Sequence, residues 1–185
     1  GALRRMTVAV LGAGGGGLSA AVELSLAGHD VALWSRNPAT LAAHCPSGVI
    51  RHRGVMGDGS LSVFRTTTDL AEALLGADVV VVCLPSVVHG RLFDELAALP
   101  CTVPVVLNPG HTGGALHLRQ SYTRAGVPLP PVVEFSTLTY VARVDPSGQV
   151  STTGRARSVR AGCLPDGEHA LDWGVRLFPG ASPVP

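Results

Sequence analysis

A doubly wound α/β fold with a mostly parallel sheet is the class this sequence predicts, and three observations predict it. Short apolar runs alternate with Ala/Leu-rich segments of helical character from the N-terminus to about residue 135, the pattern of repeated strand–helix units. Runs such as Asp30–Ser35 and Asp78–Leu84 are apolar nearly throughout, so they need burial on both faces, as the strands of a parallel sheet do. Between the first strand and the first helix lies an uninterrupted glycine cluster, a strand-to-helix turn without side chains.

Each element has a local reason. Met6–Leu11 is the first strand. Gly15–Ala27 is the first helix, closed by Gly28, a natural C-terminal residue. Asp30–Ser35 is the second strand. Asn37 caps a short helix that starts at Pro38 and runs to about His44. From Val49 to Phe64 polar and apolar residues alternate around Gly57-Asp58-Gly59, which predicts an antiparallel hairpin outside the parallel core. Thr68 or Asp69 caps the next helix in a capping-box pattern with Glu72, and Gly76 ends it.

Asp78–Leu84 is the most continuous apolar strand, stopped by Pro85, and a helix follows from Ser86 to about Leu99. Val103–Leu107 is the next strand, followed by the loop Asn108–Gly114 and a helix from about Ala115 to Arg124. Pro131–Phe135 is a further strand. Leu138–Val144, Gln149–Thr153 and Arg157–Gly162 read as short antiparallel strands, with Asp145-Pro146-Ser147-Gly148 as one turn. Asp166–Leu177 is a last short helix, and Phe178–Pro185 an extended, proline-rich tail.

Composition excludes several classes. The 185 residues carry a net charge of +1, which gives no drive toward nucleic acid. All 14 basic side chains are arginine, so Schiff-base, P-loop and general-acid lysines are excluded within this chain. Cys45, Cys83, Cys101 and Cys163 are far apart and form no C-x-x-C, which fits a reducing, cytoplasmic setting. No apolar run approaches the roughly 20 residues of a membrane span, and no signal-peptide core is present. The histidines show no ligand spacing, so no metal is expected.

Chemistry concentrates in the glycine cluster. Gly12, Gly14 and Gly17 satisfy the G-x-G-x-x-G spacing of a dinucleotide-binding turn, in the required strand–turn–helix context. Gly12 allows the sharp turn, Gly14 lets the main chain approach a pyrophosphate, and Gly17 lets the helix pack against the strand. Ala13, Gly15 and Gly16 complete the loop, whose helix directs free N–H groups at the phosphates. Ligands in such sheets sit at the carboxyl ends of the strands. The loops expected to meet there are Gly12–Gly17, Ser35–Asn37, Pro85–His89 and Asn108–Gly114. The second strand ends in Ser35 and Arg36, with no carboxylate for a ribose 2′-hydroxyl. A guanidinium and a hydroxyl suit a 2′-phosphate, so NADP is favoured over NAD. A solvated Arg36, or one stacked on the adenine of NAD, is the alternative.

Three stretches taken together resemble the opine dehydrogenases, the octopine/nopaline dehydrogenase family. They are Leu11–Gly17 with Ala27–Arg36, Asn108–Ala115, and Glu134–Arg143. The resemblance implies a Rossmann-like cofactor domain and the reduction, by NAD(P)H, of the imine formed from an amino acid and a 2-oxo acid. Within the loops expected at the strand ends, cofactor contacts are expected at Leu84, Pro85, His89, Asn108 and Gly110, with packing as the alternative for His89, and substrate contacts at Thr112, Gly113, Glu134 and Thr137. Glu134 would hold an ammonium or cationic side chain, with pairing to Arg143 as the alternative. His111 is a weaker candidate for proton donor. The family's catalytic histidine and its carboxylate partner lie in a helical C-terminal domain. Residues 1–180 are therefore expected to be the dinucleotide domain and residues 181–185 the start of a linker, with no catalytic residue in this chain and no turnover by it alone. If that domain is absent, two chains pairing over the exposed face, a homodimer, is the expected assembly. Ketopantoate reductase-like and glycerol-3-phosphate dehydrogenase-like reductases, both reliant on lysine, and a non-catalytic nucleotide sensor are the competing readings.

Overall fold

The structure, a computed structural model, describes residues 4–108, 114–135, 140–155, 159–163 and 181–183; Ser86 and the last two segments are described as backbone only. In chain order the elements are β1 (Thr7–Leu11), α1 (Gly15–Leu26), β2 (Asp30–Trp34), α2 (Pro38–His44), β3 (Val49–Gly54), β4 (Gly59–Ser62), β5 (Arg65–Thr67) and α3 (Leu70–Ala73). There follow β6 (Val79–Val82), α4 (His89–Ala98), β7 (Val105–Leu107), α5 (Gly114–Ala125), β8 (Val132–Phe135), β9 (Tyr140–Val144), β10 (Val150–Arg155), β11 (Val159–Cys163) and β12 (Ala181–Pro183).

The large sheet runs β5-β2-β1-β6-β7-β8 with every neighbouring pair parallel. Beyond β8, β11 pairs antiparallel and β12 pairs parallel to β11. Strand order reverses at β1, whose two neighbours, β2 and β6, lead the chain toward opposite edges. The valines of β6 show why a continuous apolar run belongs here. Val79 and Val81 enter one core while Val80 and Val82 enter the other, and all four are fully buried. The first core lies under α1 and α2 through Leu18, Val22, Leu24 and Leu41. The second lies under α3, α4 and α5 through Leu70, Leu92, Phe93, Leu96, Leu118 and Tyr122.

A smaller sheet, β4-β3-β10-β9, packs over α1. The hairpin β3–β4 is antiparallel around Gly57–Gly59 as the alternation predicts. It is extended by β10, which pairs parallel to β3 and antiparallel to β9. Gly54 permits the parallel pairing, since a Cβ there would lie 2.0 Å from the Thr152 carbonyl oxygen. The small sheet is fastened to α1 by the buried hydroxyl pair Ser19–Thr152 at 2.9 Å and by the Arg155–Glu23 ion pair at 2.8 Å.

Several elements depart from the sequence reading. β5 is missed there because a three-residue polar edge strand carries no apolar alternation. Asp69 is the cap of α3, accepting the Ala71 and Glu72 N–H groups, but the helix spans four residues only. Ser86–Val88 forms a 3-10 turn before α4 begins. The strand expected at Arg157–Gly162 is present as β11, antiparallel as read, and its partner is β8 of the large sheet. The expected helix Asp166–Leu177 lies outside the described residues, as does the tail apart from Ala181–Pro183.

At the amino end of β1, buried His29 accepts the Met6 N–H on Nδ1 at 3.1 Å. Nδ1 must be unprotonated for that bond. Burial lowers the pKa of the ring, against an opposing pull from Asp30. The folded state thus resists a proton that the unfolded chain takes up near about pH 6.5. This stability is fully present above that pH and is lost as pH falls toward the lower folded value. Thermal melts between about pH 7 and about pH 5.5 are expected to show a falling midpoint that His29→Asn flattens. Equal slopes in the two proteins contradict the assignment.

Candidate functional site

The carboxyl ends of β1, β2, β6 and β7 converge on the loop between β1 and α1. Gly12 has φ +121°, a conformation closed to residues with a side chain, and a Cβ on it would lie 2.5 Å from the Cys83 carbonyl oxygen. Gly17 is tighter still: its Cβ would come within 1.8 Å of the Gly12 carbonyl oxygen. Gly14 and Gly16 are different, because a Cβ on either would meet nothing within 4 Å. The first and third glycines of the motif are thus closed by packing, while the second faces open space at the amino end of α1. Gly14 is the N-cap of that helix, extended at φ −83°, and no side-chain hydrogen bond caps it. An open concavity of main-chain donors fits a pyrophosphate.

The loop is pinned on both sides. The Gly12 N–H donates to the Trp34 carbonyl at 2.8 Å, and the Leu18 N–H to the Gly14 carbonyl at 2.9 Å. His44 Nδ1 lies 2.7 Å from the carbonyl oxygen of buried Ala13. Nothing in the sequence pattern marks His44, which sits 31 residues along the chain at the end of a short helix.

After β2, Ser35 is buried and its Oγ accepts the Asn37 N–H at 3.3 Å. Arg36 lies over the Trp34 ring at 5.2 Å and pairs with Glu95 of α4 at 2.9 Å. Glu95 also accepts from Arg91 at 3.1 Å. Arg36 is 39% exposed, so the pair is weak and screened. Sequence spacing could not have placed Glu95 beside Arg36.

After β6, Leu84 approaches the position of the Gly12 Cβ to 3.0 Å, so this loop and the glycine loop are in contact. Pro85 is exposed. His89 is buried, with Nε2 2.8 Å from the Leu84 carbonyl oxygen, so the ring shapes the loop from beneath. Asn108 is buried at the end of β7, its N–H donating to the Val82 carbonyl at 2.9 Å. Glu134 Oε1 accepts the Gly114 N–H at 3.0 Å, which sets a carboxylate at the amino end of α5. Gly110, His111, Thr112, Gly113 and Thr137 lie outside the described residues. Burial pushes the thiol of Cys83, which lies against the loop, up to about 12, and that of Cys45 at the end of α2 up to about 11, so both stay neutral. Among the described residues no cluster of metal-ligating side chains exists, and no helix is long and apolar enough to cross a membrane.

Residues 7–108 match the family model described as NAD-dependent glycerol-3-phosphate dehydrogenase N-terminus. The chain is 30% identical over 160 residues to an opine dehydrogenase of Arthrobacter sp. (strain 1C), covering 86% of this chain and 45% of that protein. The resemblance read from the three stretches is borne out by that relative. Octopine dehydrogenase solved with NADH and pyruvate superposes with a TM-score of 0.78 at 19% identity, over 97% of this chain and 50% of that one. Yersinopine dehydrogenase with NADP+ bound gives 0.73 at 17% identity, over 98% and 47%. At these identities the structures show a shared fold, that of Rossmann-like dehydrogenase N-terminal domains. The chain spans about half the length of each of these three proteins.

The glycines separate stability from binding. Gly17→Ala is expected to cost about 3 kcal/mol through its clash with the Gly12 carbonyl. Gly14→Ala is expected to change stability by no more than ~1 kcal/mol while weakening nucleotide binding about tenfold, because its methyl group enters the open concavity. Denaturant melts alongside nucleotide titrations check both, and a Gly14→Ala protein that binds as wild type removes Gly14 from the contact surface.

Proposed function

We propose, for a chain that belongs to the family of NAD-dependent glycerol-3-phosphate dehydrogenase N-termini, that it is the NAD(P)-binding domain of an opine dehydrogenase-like oxidoreductase. The observation that carries the reading is the glycine loop, closed by packing at Gly12 and Gly17 and open at Gly14 and Gly16, at the point where strand order reverses. When bound there, the nicotinamide nucleotide supplies hydride. The residues of this chain bind and orient it. The N–H groups at the start of α1 face the pyrophosphate, Ser35 and Arg36 the adenosine ribose, and Leu84, Pro85, Asn108 and Gly110 the nicotinamide side. His89 supports the Leu84 carbonyl.

The substrates in this reading are an amino acid and a 2-oxo acid. The amine condenses with the oxo carbonyl and releases water; hydride and a proton then add across the C=N bond to give a secondary amine. Thr112, Gly113, Glu134 and Thr137 are the substrate-facing residues. Glu134 Oε1 accepts the Gly114 N–H, which fixes the carboxylate at the amino end of α5, where it would meet an ammonium or cationic side chain. A catalytic histidine and its carboxylate partner would come from a helical domain following residue 180. The absence of lysine supports this chemistry over that of reductases that place a catalytic lysine in this domain.

NADP is the proposed cofactor, with NAD as the alternative. A 2′-phosphate must draw Arg36 away from Glu95, an exposed and therefore inexpensive exchange. Titration of the chain is expected to show tighter binding of NADPH than NADH, and Arg36→Ala to weaken NADPH about tenfold with little effect on NADH. An unchanged NADPH/NADH ratio in the variant returns Arg36 to a solvated role. In protein that includes the C-terminal domain, NADPH oxidation is expected to require both an amino acid and pyruvate or 2-oxoglutarate. Oxidation with the oxo acid alone indicates a simple ketoreductase instead.

A further inference from the structure

We propose that His44 is a positioning residue for the phosphate cradle: from the last turn of α2 it holds the Ala13 carbonyl and so sets the direction of the Gly14 N–H. The inference rests on the reading of the glycine loop as a dinucleotide site. The observation is the 2.7 Å contact between His44 Nδ1 and the Ala13 carbonyl oxygen. A carbonyl accepts only, so Nδ1 is the protonated nitrogen and donates. The peptide between Ala13 and Gly14 is planar, with its N–H opposed to its C=O. Fixing the carbonyl on the α2 side therefore fixes the N–H on the other side. The neighbouring points of the loop are held by main chain, Gly12 to Trp34 and Leu18 to Gly14. At Ala13 a side chain does the holding.

The ring is itself held in place. Asn37 caps α2 by accepting the Ala39 N–H at 2.9 Å. At the other end, Gly148 of the β9–β10 turn presses on the helix: a Cβ there would lie 2.0 Å from the Ala43 carbonyl oxygen and 3.7 Å from His44 Cα. That turn is ordered by Asp145, which accepts from the Ser147 N–H at 2.9 Å and the Gln149 N–H at 3.1 Å. The small sheet thus fastens the helix that fastens the loop. A rigid donor aimed at one loop carbonyl prepays the ordering of that peptide before a ligand arrives.

The test uses the 185-residue chain with three variants, nucleotide titration followed by fluorescence, and circular dichroism to match folded fractions. His44→Ala removes ring and donor, His44→Phe keeps the volume without the donor, and His44→Asn keeps an N–H near the position of Nδ1. Alanine and phenylalanine are expected to weaken NADPH and NADH by the same factor, about fivefold to tenfold, the scale of one lost hydrogen bond. Asparagine is expected to restore most of the affinity. If the alanine variant does not fold, the phenylalanine–asparagine comparison decides. The inference is overturned if His44→Phe binds as wild type, if asparagine is as weak as phenylalanine, or if only one nucleotide is affected. Wild-type protein that binds neither nucleotide overturns the reading of the loop itself, an outcome distinct from a variant series without effect.

Discussion

The contact between Gly17 and the Gly12 carbonyl is the constraint from which the rest of the structure is built. It sets how closely α1 can lie on β1, and a methyl group at residue 17 would sit 1.8 Å from that oxygen. Because α1 lies this close, the amino end of the helix comes directly to the carboxyl end of the strand. The loop between them is three residues long, and its one side chain, that of Ala13, is buried in the core. The same closeness brings the loop against Cys83 at the end of β6, the strand on the other side of the reversal. The open main chain at Gly14 and Gly16 therefore follows from packing at the two glycines that face protein.

Burial on both faces keeps that geometry rigid. Alternate residues of β1 and β6 enter separate cores, and complete burial of each Val or Leu contributes about 1.5–3 kcal/mol, so neither strand can slip register by one residue without exchanging its two faces. The small sheet adds a restraint that such an arrangement does not itself require. It fastens to α1 through Ser19–Thr152 and Arg155–Glu23, and it presses on the end of α2 through Gly148. Both helices that border the glycine loop are thus held from the side away from the parallel sheet.

Charge is placed sparingly around the site. Glu134 lies against the amino end of α5, where the helix dipole favours a carboxylate, and Arg36 is neutralised by Glu95. Cys83, directly beneath the loop, stays a neutral thiol because burial raises its pKa to about 12. The thiol nearest the glycine loop therefore carries no charge.

The sequence by itself determined the elements whose signal is local. The glycine spacing, the all-valine β6, the Asn37 cap and the Gly57–Gly59 hairpin each state their conformation within a few residues, since backbone freedom, burial and capping act at short range. The sharp turn at Gly12 and the close helix packing at Gly17 could also be read from the motif, and the contacts at both positions agree. Tertiary structure alone decided the rest. The polar edge strand β5 exists only because β2 offers it a partner, and β11 joins the large sheet because β8 is open on that side. His44 and Ala13 are 31 residues apart, Gly148 meets Ala43 from a distant turn, and Arg36 meets Glu95 across the fold. Those contacts are set by how the helices and the small sheet stack, a long-range outcome that no window of residues contains.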